Sequence, residues 1–151
     1  MHKKINAKGF TLIELLIVII IIGILAAIAF VAYNGTTNKA HQAAAQSTLA
    51  EVKNKLAEYY ASNSSYPAAG SSGSTTVNVD NWLASSAGGN NTTMSNTFTD
   101  GNGYQYAVTP SGCGDTIASG GAITPGSTAC TGFTLTATTQ AAPNGAITVT
   151  N

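Results

Sequence analysis

From Leu15 to Tyr33 the chain reads Leu-Leu-Ile-Val-Ile-Ile-Ile-Ile-Gly-Ile-Leu-Ala-Ala-Ile-Ala-Phe-Val-Ala-Tyr, nineteen positions without a charged side chain. At a rise of about 1.5 Å per residue, a helix of that length spans about 28 Å, close to the hydrocarbon thickness of a bilayer. Lys3, Lys4 and Lys8 precede it. Positive charge before a first span holds the N-terminus in the cytoplasm, which predicts N-in, C-out topology with everything after Tyr33 exported. The apolar run carries one anomaly at its entrance, Glu14. A carboxylate in hydrocarbon costs several kcal/mol and by default marks a function.

Two plain readings compete for this stretch. A removable secretory signal peptide is suggested by the basic start and by Ala27-Ile28-Ala29, small residues of the A-x-A kind that would place a cut after Ala29. Against it, the apolar run exceeds a signal core of about 7–15 residues, continues past that cut and follows directly on an acid. A simple membrane anchor needs only the length and gives no reason for Glu14.

The residues around Glu14 supply a reason. Ala7-Lys8-Gly9-Phe10-Thr11-Leu12-Ile13-Glu14-Leu15-Leu16 resembles the type IV pilin signature: a short basic leader ending in Gly, then Phe-Thr-Leu-Ile-Glu-Leu-Leu entering an apolar helix. The resemblance implies that a membrane-bound prepilin peptidase cuts after Gly9 and methylates the new amine of Phe10. It implies a role in subunit recruitment for Glu14. Residues 1–9 would be the leader and 10–33 the membrane-spanning and filament-core helix. Loss of the leader leaves three Lys against six acids. The spacing has its own logic, since an ammonium on Phe10 and the carboxylate of Glu14 lie one helical turn apart on one face. Lipid is as apolar as Leu and Ile, so packing and polar pairing decide how such helices associate. The ammonium and the carboxylate can pair within a chain or between chains, and an acid paired with the amine of a neighbouring subunit sets the axial register, because a wrong offset leaves both charges unpaired. Many members of the family have a Pro where this chain has Val31, while Gly23 matches a helical Gly, and the weak point moves toward Asn34-Gly35.

Residues 34–62 read as an amphipathic continuation. Asn34-Gly35-Thr36-Thr37 are poor helix formers, but Lys39 to Ala61 is rich in Ala, Glu, Lys, Gln and Leu. Leu49, Val52, Leu56 and Tyr59 form an apolar stripe at three- and four-residue steps, and Glu51, Lys55 and Glu58 a solvated or subunit-facing edge. The helix is expected to end near Tyr66-Pro67, where a residue before Pro is driven to extended backbone. Residues 63–151 form the head. Residues 68–97, crowded with Ser, Thr, Gly and Asn, read as a surface loop with Trp82 packed beneath it. After the turn signal Asp100-Gly101-Asn102-Gly103 come three strands, around Tyr104–Val108, Gly132–Thr138 and Ala146–Thr150. The expected class is α+β, a long N-terminal helix packed on a small antiparallel sheet.

Cys113 and Cys130, in a segment expected to be exported, read as a disulfide worth about 3 kcal/mol by loop-closure entropy. A zinc site would want four ligands, and the exported part offers two Cys and the distant His41. Asp100-Gly101-Asn102 begins like a calcium loop but lacks the later acid. One His remote from both Cys makes no catalytic triad. No enzyme activity, cofactor or small-molecule substrate is therefore expected. Only 8% of the 151 residues are charged, against about 25% in an ordinary soluble domain, and the formal net charge is zero. Without Arg or a basic block, nucleic acid is a poor partner.

The expectation is a structural subunit of an extracellular type IV pilus, with copies of itself, the peptidase, an inner-membrane assembly platform and membrane lipid as partners. The alternatives are a pseudopilin of a type II secretion or DNA-uptake machine, and, from another class, a secreted binding module cut after Ala29. Twitching, adhesion and DNA capture are roles that the residues do not separate.

Overall fold

The computed structural model describes residues 9–70, 76–99 and 101–151. The leader's residues 1–8, residues 71–75 of the expected loop, and Asp100 of the turn signal lie outside them. Helix α1 spans Leu12–Asn63, 52 residues. The chain divides into two compact units, one ending at Thr37 and one running from Asn38 to Asn151.

In the first unit every described residue from Gly9 to Thr36 is exposed, and the helix carries an apolar window long enough to cross a membrane. The poor formers at 34–37 do not interrupt it. Thr36 Oγ1 donates to the Ala32 carbonyl and Thr37 Oγ1 to that of Tyr33, each at 3.0 Å. Such back-bonds satisfy the hydroxyls without leaving helical geometry, though they compete with the amides for the same carbonyls.

In the second unit α1 presents Ala45, Leu49, Val52, Leu56 and Tyr59 to the core, which is the expected stripe with one residue added. Each fully buried side chain of this kind is worth about 1.5–3 kcal/mol. Glu51 is exposed, and Lys55 Nζ pairs with Glu58 Oε2 at 2.8 Å on the solvated side. The helix stops at Asn63, followed by Ser64 at φ 55 and the buried segment Ser65–Pro67.

The expectation of a loop over 68–97 is corrected. Two short helices occupy it, α2 (Val77–Ala84) and α3 (Thr92–Phe98). In α2, Val79, Trp82 and Leu83 fall at i, i+3 and i+4 and are buried. Asn91 caps α3 by accepting from the Met94 amide at 3.0 Å, and Met94 and Phe98 are buried one turn apart. Trp82 is packed beneath, as expected, edge-on to the Tyr59 ring at 5.3 Å.

The sheet consists of β1 (Tyr104–Thr109), β4 (Gly132–Ala137) and β5 (Ile147–Thr150), antiparallel in that spatial order. Alternation points Tyr106, Phe133 and Leu135 inward, with Tyr106 opposite Leu135 and Val108 opposite Phe133. A second small sheet pairs β2 (Thr116–Ile117) with β3 (Ile123–Thr124) inside the segment closed by the Cys113–Cys130 disulfide. Its strands are too short to show any alternation in the sequence.

Long-range polar contacts tie these parts to α1. Gln42 Nε2 donates to the Gly145 carbonyl at 3.1 Å and Gln42 Oε1 accepts from the Asn144 amide at 3.3 Å. Lys53 Nζ donates to the Thr150 carbonyl at 2.7 Å. Tyr59 Oη donates to Asp115 Oδ2 at 2.9 Å, and the Gly126 amide donates to Asp115 Oδ1 at 3.1 Å. Burial, then the bond to Asp115 and its charge, push the Tyr59 hydroxyl above its ordinary range.

Candidate assembly site

The site is the first turn of α1. Thr11 precedes the first helical residue and Glu14 lies three positions on, the S/T-x-x-E spacing of a capping box. Both halves of that box are present. The Thr11 amide donates to Glu14 Oε2 at 2.8 Å, and the Glu14 amide donates to Thr11 Oγ1 at 3.3 Å. Thr11 Oγ1 also donates to Glu14 Oε2 at 2.7 Å. Two amides that a helix start leaves orphaned are thereby satisfied, and the acid lies at the positive end of the helix dipole.

Thr11 is a neighbour of Glu14 that the one-turn spacing between Phe10 and Glu14 does not reveal. The capping-box spacing was the signal that could have found it. Glu14 Oε1 accepts no hydrogen bond among the described residues, so the outer half of the carboxylate is open. Gly9 and Phe10 lie just ahead of the helix, both exposed. Phe10 and Glu14 thus share one end of one helix, whereas Cys113 and Cys130 are joined elsewhere, in the second unit.

Around this polar knot the surface is apolar. Leu12, Ile13, Leu15 and Leu16 are exposed, and the pattern continues through Tyr33. A contiguous apolar surface of this extent calls for lipid or for other helices to cover it. Among the described residues no cluster of His, Cys, Asp and Glu could hold a metal.

Comparison with known proteins matches the stretch of chain that contains this turn. The family model of the prokaryotic N-terminal methylation motif matches residues 4–30. The fimbrial protein EcpC of Eikenella corrodens is 43% identical over 88 residues, 55% of this chain and 58% of that protein. The type IV major pilin protein PilE1 of Neisseria gonorrhoeae is 47% identical over 60 residues, 40% of this chain and 36% of its own length. The type IV narrow pilus major component PilA5 of Thermus thermophilus is 54% identical over 52 residues, 34% of this chain and 45% of its own. The chain therefore spans less than two thirds of each of these relatives. No solved structure matches it significantly. The motif and the relatives support a type IV pilin, and the long apolar helix with a small antiparallel sheet is consistent with that α+β fold.

Proposed function

We propose that the chain is a prepilin whose mature form, beginning at Phe10, polymerises into an extracellular type IV pilus. A prepilin peptidase cuts after Gly9 and methylates Phe10. Residues 10–33 hold the subunit in the membrane, N-in and C-out, until an inner-membrane assembly platform moves it into a fibre of its own copies. There residues 10–33 form the core, residues 34–62 the amphipathic continuation and residues 63–151 the head.

The observation that carries this reading is the half-open carboxylate of Glu14 at the head of an otherwise uncharged, exposed apolar helix. Thr11 holds one oxygen and fixes the side chain's direction, and the other oxygen is left for a cation. In hydrocarbon the only matching cation is the ammonium that cleavage creates on Phe10 of this or an adjoining subunit. Pairing between subunits neutralises both groups at one axial offset and penalises every other, which makes it a register device.

N-terminal sequencing and mass measurement of the mature protein are expected to give methylated Phe10, and a start at Phe30 would overturn the reading. Glu14→Ala is expected to leave membrane insertion intact and to abolish incorporation into shed filaments. Full incorporation of that variant would refute the register role.

A further inference from the structure

The second unit carries an open cavity of about 380 Å³ well removed from the first turn of α1 in sequence. One wall is the α1 face of His41, Ala44 and Thr48, another is Thr97 in the last turn of α3. The third comes from two facing segments, Asn102–Tyr104 and Gln140–Ala141.

This third wall is built rather than incidental. The Thr138 amide and Oγ1 donate to the Gly103 carbonyl at 2.7 and 2.9 Å, and Gln140 Nε2 donates to the Gly101 carbonyl at 2.9 Å. Gly103 has φ +83, and a Cβ there would stand 2.8 Å from both the Ala141 nitrogen and Gln140 Cβ. Only glycine lets the two segments close this far.

The same bonds decide the chemistry of the lining. Asn102 Nδ2 donates to the Asn96 carbonyl at 2.8 Å. Because each primary amide faces a carbonyl, its NH2 must turn that way, which leaves one N–H and the whole carbonyl oxygen of Asn102 and of Gln140 for a ligand. The Thr48 hydroxyl and the His41 imidazole make no hydrogen bond among the described residues. Between these polar groups lie Ala44, Ala141 and the largely buried Tyr104. Among the described residues no Lys lines the cavity, so an anion has no ammonium to meet there, and an alkyl chain would leave the amides' remaining hydrogen-bonding capacity unused.

We propose that this cavity binds a neutral, hydroxyl-rich ligand, a single sugar ring. Ring hydroxyls donate to Asn102 Oδ1 and Gln140 Oε1 and accept from the remaining N–H groups, while the C–H face of the ring rests on Ala44 and Ala141. A concave surface that sets apolar groups among a few oriented polar ones is the usual form of a small-molecule site. The proposal is independent of the filament reading, since neither Phe10 nor Glu14 takes part.

The test is a titration of the full chain in phosphocholine micelles, which carry no sugar headgroup, with methyl glucoside, N-acetylglucosamine and galactose as probes. Sodium sulfate is the control. The readout is the magnetic-resonance shift of the Asn102 and Gln140 side-chain amides. At least one sugar is expected to give a saturable shift, weakened about tenfold in Ala44→Leu, which crowds the cavity from its α1 wall, and in Gln140→Ala, which removes one amide. Absence of a saturable shift with all three sugars, an unchanged response in Ala44→Leu, or an equal response to sulfate would each overturn the proposal.

Discussion

Replacing Tyr59 by Phe removes one hydroxyl and keeps the ring, including its edge-on contact with Trp82 at 5.3 Å. What is lost is the 2.9 Å bond to Asp115 Oδ2, where the acceptor is a carboxylate only 6% exposed. A hydrogen bond to a charged group contributes about 1.5–3 kcal/mol, and stranding a buried charge adds to the cost. Gly126 still serves the other oxygen, which holds the expected loss near about 2 kcal/mol. For a unit of this size that lowers the melting midpoint by roughly 8 °C. The assay is near-ultraviolet circular dichroism of the full chain in micelles, with Tyr59→Phe, Asp115→Asn and the double variant forming a cycle. The double variant is expected to cost less than the two singles added, by about 1–2 kcal/mol. Strict additivity, or a Tyr59→Phe midpoint equal to the parent's, would refute the coupling. The pH dependence supplies a second check. Both Tyr59 and Tyr106 have hydroxyls pushed up from the ordinary 10.0. Their unfolded forms ionise near pH 10 while the folded forms keep their protons. The stability they confer is therefore complete below that pH and is lost as pH rises beyond it. Tyr59→Phe is expected to flatten that alkaline loss, with Tyr106 left to account for what remains.

Two more outcomes follow from the backbone and the disulfide. Gly103→Ala and Gly101→Ala both place a Cβ at positive φ, but only at Gly103 does it meet other atoms, so Gly103→Ala is expected to cost more than its neighbour, by about 1–3 kcal/mol in thermal melts. Equal midpoints would mean that the Gln140–Ala141 segment gives way freely. Replacing Cys130 by Ser opens the Cys113–Cys130 link, whose sequence separation is 17, and is expected to lower stability by about 3 kcal/mol, read as a shift in denaturant midpoint between the variant and the oxidised parent.

What the sequence made legible was what repeats over many residues. A solid apolar run, the stripe Leu49, Val52, Leu56 and Tyr59, and the Thr-alternating strands each sum weak preferences over several positions, and all three took the expected form. The stretch 68–97 failed as a loop because its apolar content is sparse. Val79, Trp82, Leu83, Met94 and Phe98 are spread among Ser, Thr, Asn and Gly, and each helix there is shorter than the window over which periodicity can be measured. Tertiary burial, rather than propensity, holds them helical. The β2–β3 pair was invisible for a related reason: each strand has two residues, and one buried side chain, Ile117, is too little to show a period. At the candidate site the acid was legible and its partner was not. Glu14 is conspicuous by charge, whereas Thr11 is an ordinary residue whose role is given only by the distance of three to Glu14. The cavity beside His41 was equally hidden, since residues from 41 to 141 in sequence line it.

The distribution of charge explains why one carboxylate can matter so much in the proposed fibre. From residue 63 onward the chain has Asp80, Asp100 and Asp115 and no Lys or Arg. Asp80 and Asp115 are buried, so among the described residues of that stretch no exposed side chain carries a charge. After the apolar segment, the charged side chains that reach solvent among the described residues are Lys39, Glu51, Lys53, Lys55 and Glu58, all on α1. Solvated charges like these are screened within about 8 Å at physiological salt and discriminate weakly between neighbours. Thr- and Ser-rich surfaces hydrogen-bond to water and to one another with little preference for offset. Neither set can choose one axial register among several of similar packing. A charge pair in hydrocarbon can, because there an unpaired partner costs several kcal/mol and salt does not reach it. An almost uncharged head and a single acid at the entrance of an apolar helix are, on this reasoning, two halves of one arrangement. In the proposed fibre the head is indifferent to offset, and the helix decides it.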